Sequence, residues 1–290
     1  MKKAVMMAAD NDVGKTLKSV LERIQTACDS RSQDLPKVQP RLVAVSKTKA
    51  ISTIQTAYIH GQRHFGENYV HEIIEKATDP TIINECCDIR WHYVGHLQRN
   101  KVNKIIGIPN LFMVESLDTP KLADVLNAAW GRKKKVGKLK VMVQVNTSNE
   151  ASKHGCKLCD AESLAGHILL SCSNLEFNGL MTIGRVNHEL SQGPNPDFQQ
   201  LVQCREEICK KFMLDKATVE LSMGMSNDFE HAISVGSTNV RVGSAIFGAR
   251  PDATKQSKSR TKNVVSKPEA SNDNAAMNHV SQNLDSLTVS

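Results

Sequence analysis

The sequence predicts an α/β fold: a single (β/α)8 TIM-type barrel with an extra N-terminal helix. Three observations carry that expectation. Short apolar runs recur along the chain, and a segment of helical period follows most of them. The runs are continuous rather than alternating, as expected for strands buried on both faces of a parallel sheet. Eight of them fit within about 250 residues, the strand number and length of such a barrel. An open doubly wound sheet is the competing arrangement if one or two runs are miscounted.

In chain order, residues 13–28 carry Leu17, Val20, Leu21 and Ile24 at helical spacing, an amphipathic helix ahead of the first strand. Strands are expected at 42–46, 64–66, 92–95, 111–114, 139–145, 177–183, 218–222 and 240–242. Helical segments lie between them at 51–60, 69–77, 119–130, 160–171, 197–212 and 226–233. Residues 251–290 have no aromatic side chain and no sustained apolar period, and are rich in Ser, Lys and Asn. Such a stretch cannot bury enough apolar surface to offset its ordering entropy, so a disordered tail beyond a barrel domain of residues 1–250 is expected.

Composition narrows the function. The 290 residues are 40% hydrophobic and 23% charged, enough to bury a core. Thirty-seven Lys and Arg against 30 Asp and Glu leave +7. The five basic and four acidic residues of 251–290 take +1 of this, leaving +6 on the body. That mild, dispersed excess suits a small anionic ligand at least as well as a polyanion. Aromatics at 4% argue against a stacking platform for single strands, and neither G-x-x-x-x-G-K-[ST] nor G-x-G-x-x-G occurs. No apolar run reaches 18 residues, and the segment MKKAVMMAADND turns acidic before any long apolar stretch. The eight cysteines lack the spacing of a disulfide framework and read as reduced thiols. A cytoplasmic protein with neither membrane nor nucleic acid as partner is expected, a mitochondrial pool being left open.

In a barrel of this kind, chemistry sits at the C-terminal ends of the strands and in the loops that follow. That rule selects Ser46, Lys47, Glu67, Asn68, His96, Asn146, Thr182, Ser222 and residues 241–244. Lys47 directly follows RLVAVS, which places an amine at the barrel mouth. Partial desolvation there favours the neutral amine, a nucleophile for carbonyls; the ordinary alternative is a lysine snorkelling outward. LSMGMSNDFEHAI holds a small-residue turn leading into a helix. Gly236-Ser237-Thr238 precedes the last strand, and Gly243-Ser244 follows it. Two such turns can present main-chain N–H groups to a phosphate, or Ser226 can simply cap its helix. Arg241, between Val240 and Val242, needs a carboxylate, a ligand acceptor or water if it points inward. Cys156 and Cys159 form a C-x-x-C with no second ligand pair, which fits neither a thioredoxin-like context nor a four-ligand zinc site. No metal is expected.

The stretches LVAVSKTK (42–49), HFGENYVHE (64–72), WHYVGHLQRNK (91–101), VQVNTSNEASKHG (143–155), GLMTIG (179–184), LSMGMSNDFEHAI (221–233) and GSTNVRVGSAIFGAR (236–250) occur in one order over nearly the whole body. Together they resemble the pyridoxal phosphate homeostasis protein family, single-domain barrels related to the N-terminal domain of alanine racemase. The resemblance implies pyridoxal 5′-phosphate as cofactor, with Lys47 as the lysine of its Schiff base. Arg241 is similar to the arginine that faces the pyridine nitrogen in the racemases. Ser226, Gly243 and Ser244 match phosphate-holding positions, with Thr238 as a further candidate. Asn68 and Lys153 match polar positions near the cofactor. Two departures, Asn149 where many relatives have Gly and Pro251 after FGAR, lie away from these positions.

The resemblance also bears on turnover. An arginine cannot protonate the ring nitrogen as an Asp or Glu partner does, so the ring is a weaker electron sink. The racemases add a tyrosine from a separate β-domain as a second acid/base. The tyrosines of this chain, Tyr58, Tyr69 and Tyr93, all lie in its first third. The implied role is a binding protein that buffers the cofactor and supplies it to dependent apoenzymes, with no catalytic residue, as a monomer or weak dimer. The alternative is a fold-type III amino-acid racemase.

Overall fold

The computed structural model describes residues 2–133, 136–185 and 188–249, with side chains from residue 12 onward. The expected tail, 251–290, lies outside the described residues. The first helix, α1 (Lys2–Asp29), precedes β1 (Arg41–Val45). Then follow α2 (Ile51–Ile59), β2 (His64–Glu67), α3 (Val70–Thr78), α4 (Pro80–Glu85), β3 (Arg90–Tyr93), α5 (Val102–Ile105) and β4 (Leu111–Leu117). The second half contains α6 (Pro120–Arg132), β5 (Leu139–Gln144), α7 (Leu158–Ser171), β6 (Leu175–Met181), α8 (Pro196–Phe212), β7 (Glu220–Ser222), α9 (Phe229–Ser234), β8 (Asn239–Val242) and α10 (Ser244–Phe247).

The eight strands pair in sequence order and close into a parallel barrel. Closure runs through Arg41 opposite Asn239, Leu42 opposite Val240, Val43 opposite Arg241 and Ala44 opposite Val242. Every apolar run named from the sequence is a strand, which excludes the open sheet. Among the strands the largest boundary difference is at β4, expected to stop at Val114 but continuing through the buried polar residues Glu115 and Ser116 to Leu117. The helices missed by periodicity, α4, α5 and α10, are four to six residues long, too short to show a period. The start of α4 did carry a local signal: Asp79 accepts a hydrogen bond from Thr81 N at 2.8 Å, with Pro80 in the first turn.

Alternation along the strands divides the interior in two. Val141 and Val143, Val240 and Val242, and Trp91 and Tyr93 join the main apolar core with residues of the surrounding helices. The residues between them, Met142, Arg241 and His92, therefore face the barrel axis. Met113, Met142 and Met181 form a separate apolar cluster on β4, β5 and β6. Against it stand His92, Glu115, Ser222, Asn239 and Arg241, all buried. Barrel interiors are usually filled by branched aliphatics, so this polar content calls for an account.

Helix α1 buries Leu17, Val20 and Ile24, whereas Leu21, expected on the same face, is 43% exposed. A bidentate pair from Arg23 to Glu230 and a bond from Thr16 Oγ1 to Ile246 O at 2.7 Å attach α1 to α9 and α10. The last turns of the barrel are thereby braced from outside.

Candidate functional site

The C-terminal end of β1 is fixed by buried charge. Ser46 donates its Oγ hydrogen to Glu67 Oε1 at 2.7 Å, and its main-chain N–H to Gly66 O at 3.0 Å. Lys76 of α3 reaches under this turn. Its Nζ donates to Ser46 O at 2.9 Å, Glu67 Oε1 at 2.7 Å and Glu72 Oε2 at 2.8 Å. Glu72 in turn accepts the Thr48 N–H at 2.7 Å. Both neighbours of Lys47 are thus held. Thr48 has a positive φ of 63°, a conformation costly for a β-branched residue and sustained only by surrounding contacts. Lys47 is half-buried at this turn, as its position after β1 predicts. Lys49 is directed elsewhere, donating to Phe247 O at 2.7 Å and Gly248 O at 3.1 Å, with its pKa lowered by burial. Burial raises the pKa of Glu67 despite Lys76. Burial also pushes Glu72 up, but bonds from Lys76 and Thr48 outweigh it and hold that carboxyl below its ordinary range.

Across the β1–β8 seam the means are different. Ser226 Oγ accepts the N–H groups of both Gly243 and Ala245 at 3.2 Å. It does not cap α9: Asp228 occupies the capping position, and its Oδ1 accepts the Met225 N–H at 2.6 Å. A hydroxyl oxygen gathering two main-chain N–H groups occupies an arrangement that an anionic oxygen also satisfies. Gly243 lies close against β1. A Cβ there would lie 3.2 Å from Val45 O, two residues before Lys47. Ser244 is the first residue of α10 beside this turn.

Arg241 points inward and is 5% exposed. Among the described residues it makes no direct ion pair; Nη1 donates to Ser222 Oγ at 2.6 Å and Nη2 to Thr182 O at 2.8 Å. Asn68, in the loop after β2, carries a buried Oδ1 that has no hydrogen-bond partner. Gly95 holds that loop close, since a Cβ there would meet Asn68 O at 1.9 Å. Lys153 extends from the β5 loop to Gly184 O at 2.7 Å and to Glu150 Oε1 at 2.6 Å, so it joins the rim already paired. Thr238 is not part of this group. It precedes β8, at the opposite end of that strand from Gly243. There its Oγ1 accepts the Leu221 N–H at 2.9 Å, which assigns it to the barrel frame and corrects the sequence expectation.

Comparison with known proteins now bears on this arrangement. The profile of the alanine racemase N-terminal domain matches residues 21–251. The human pyridoxal phosphate homeostasis protein is 56% identical over 250 residues, covering 86% of this chain and 91% of the human one. The chain belongs to the pyridoxal phosphate homeostasis protein family. Among solved structures, PipY of Synechococcus elongatus with PLP bound superposes with a TM-score of 0.64. It is 29% identical and covers 79% of this chain and all of its own. A Bifidobacterium adolescentis protein of unknown function superposes at 0.72 with 32% identity, covering 83% of this chain and 96% of its own.

Two groups bear on competing readings. Cys156 is buried, and burial pushes its thiol up to about 12, away from the thiolate that redox chemistry uses; all eight cysteines are free. Tyr93 is the tyrosine nearest the strand ends, on β3. Its hydroxyl donates to His96 O at 3.1 Å, and burial raises its pKa to about 12. Tyr58 bonds to Asp88, and Tyr69 is exposed on the surface. Among the described residues no helix is long and apolar enough to cross a membrane.

Proposed function

We propose that this chain binds pyridoxal 5′-phosphate at the barrel mouth, with Lys47 as its covalent anchor, and that it buffers and supplies the cofactor rather than turning over a substrate. The observation that carries this reading is the approach of Gly243 to Val45. It sets the amine-bearing turn of β1 beside the N–H groups gathered by Ser226. An aldehyde at one end of a molecule and a phosphate at the other match that pair of groups.

The residues present fit the cofactor. The unpartnered buried Oδ1 of Asn68 is an acceptor suited to a polar ring substituent. Ser226, Gly243 and Ser244 would hold the phosphate, Arg241 the ring-nitrogen side, and Lys153 the rim. When bound, the cofactor supplies an electrophilic aldehyde and an electron-withdrawing ring. Lys47 would hold the cofactor covalently through that aldehyde, as C=N with release of one water. Arg241 can only donate hydrogen bonds, so it leaves the ring nitrogen unprotonated and disfavours carbanion chemistry. Tyr93, bonded to a carbonyl and raised to about 12, is a poor second acid/base. The reading extends to the family role named in the relatives, with dependent apoenzymes as recipients and the cytoplasm as compartment.

Borohydride reduction of protein incubated with pyridoxal 5′-phosphate, followed by peptide mass mapping, tests it. The expected result is one adduct, on Lys47, that disappears in Lys47→Ala. An adduct on another lysine, or none, overturns the reading. Interconversion of alanine enantiomers by the loaded protein would overturn the non-catalytic part alone.

A further inference from the structure

Below the mouth, Arg241 leads into a file of buried hydrogen bonds that spans the barrel. A guanidinium only donates, so Ser222 Oγ must accept from Arg241 Nη1, and its single proton must point elsewhere. It points to Glu115 Oε2 at 2.6 Å. The other oxygen, Oε1, accepts from Asn239 Nδ2 at 3.2 Å and faces His92 Nδ1 at 2.6 Å. His92 Nε2 then meets His64 Nδ1 at 2.8 Å. Glu115, His92, Ser222 and Asn239 are each 0% exposed. The file draws on β2, β3, β4, β7 and β8, so it forms only once the barrel has closed.

The donors converge on one acceptor. Glu115 receives hydrogen bonds from Ser222 and Asn239 and faces His92 Nδ1, a donor set that suits a carboxylate. Burial pushes its pKa up, but the bond and charge of His92, the charge of Arg241 and the Ser222 hydroxyl hold it down to about 2. The other anion facing Arg241 is Asp228, which is engaged by the Met225 N–H. An unpaired guanidinium in a closed barrel would be strongly destabilising.

We propose that Glu115 is the buried counter-ion of Arg241 and, acting through Ser222, the positioning residue that aims its guanidinium at the mouth. The placement stands on the hydrogen bonds from Arg241 to Ser222 and from Ser222 to Glu115; only its effect on a bound cofactor rests on the function proposed above.

The test has two arms, read on Glu115→Gln, Ser222→Ala and Ser222→Thr. In the first, cofactor-free protein with ¹⁵N-labelled arginine is followed by NMR, and the buried guanidinium signal is assigned by its loss in Arg241→Lys. Solvent exchange of that signal should quicken about tenfold or more in Ser222→Ala and Glu115→Gln, the loss expected for a charge-assisted bond, and return toward wild type in Ser222→Thr. In the second, ring-labelled [¹⁵N]pyridoxal 5′-phosphate is added, and its nitrogen resonance should move in Ser222→Ala and recover in Ser222→Thr. Ser222→Ala removes one oxygen from a small side chain, so it decides the matter if Glu115→Gln does not fold. Unchanged exchange in folded Ser222→Ala overturns the proposal. If wild type gives no borohydride adduct, the cofactor reading falls, while the first arm still decides the role of Glu115.

Discussion

The two sides of the barrel mouth hold their groups by opposite means. At β1, three ionisable side chains, Glu67, Lys76 and Glu72, grip the residues before and after Lys47. At β7 and β8, one hydroxyl and two main-chain N–H groups make the cradle. The difference follows from the tasks. Holding Ser46 and Thr48 fixes the turn on both sides of the lysine. An anion that must be released is served by oriented dipoles rather than by a fixed countercharge.

Removing the centre of the charged side should have the largest effect. Lys76→Met leaves two carboxylates at a buried turn with their cation gone, and such losses cost about 3–5 kcal/mol. Urea unfolding should show that drop, together with slower formation of the Lys47 adduct. A midpoint close to wild type would mean that the clamp does not hold the turn.

The barrel axis joins the two sides, and acid distinguishes it from the cradle. The folded pKa of Glu115 is depressed from 4.5 to about 2. Its contribution to stability is therefore fully present above about pH 4.5 and is lost as pH falls toward about 2. Glu115→Gln should be less stable than wild type at neutral pH by a few kcal/mol, and the two stability curves should converge on acidification. Parallel curves would show that Glu115 does not carry the charge assigned to it. The cradle has no titrating group of its own in this range, so Ser226→Ala should track wild type throughout.

At the cradle the effect is smaller and falls on binding. Ser226→Ala removes the oxygen that orders Gly243 and Ala245, a net loss of about 1 kcal/mol for each hydrogen bond. Affinity for pyridoxal 5′-phosphate should fall roughly thirtyfold while the borohydride adduct stays on Lys47. Equal loss for pyridoxal, which lacks the phosphate, would place the effect outside the cradle.

Legibility in the sequence follows the same division. The strands and the cradle were readable because continuous apolar runs and small-residue turns are local signals. The clamp was not. Glu72 and Lys76 sit four apart on α3 and look like a solvated helix pair until the barrel places them under Ser46. Glu115 was hidden because β4 was expected to end at Val114, which left its carboxylate in a loop rather than on the axis. Its signal was present as a lone acid within LFMVESL. Thr238 was named from the resemblance, although Gly236-Ser237-Thr238 precedes β8 and so lies at the far end of that strand from the mouth.

The smallest effect should come from removing residues 251–290. The residues named at both sides of the mouth precede that segment, and the last tie within the described body is made by Lys49. Its Nζ donates to the carbonyls of Phe247, Gly248 and Ala249, joining the turn of β1 to the end of α10. The boundary expected from composition at 250/251 therefore falls just after this latch. Truncation after Arg250 should leave the adduct on Lys47 and the unfolding midpoint at wild-type values. Truncation after Ser244 deletes all three acceptors together with the Ala245 N–H of the cradle and the buried Ile246 and Phe247, and should lower both. Loss of the adduct on removing 251–290 alone would show that the tail takes part in the site and that the composition-based boundary is wrong.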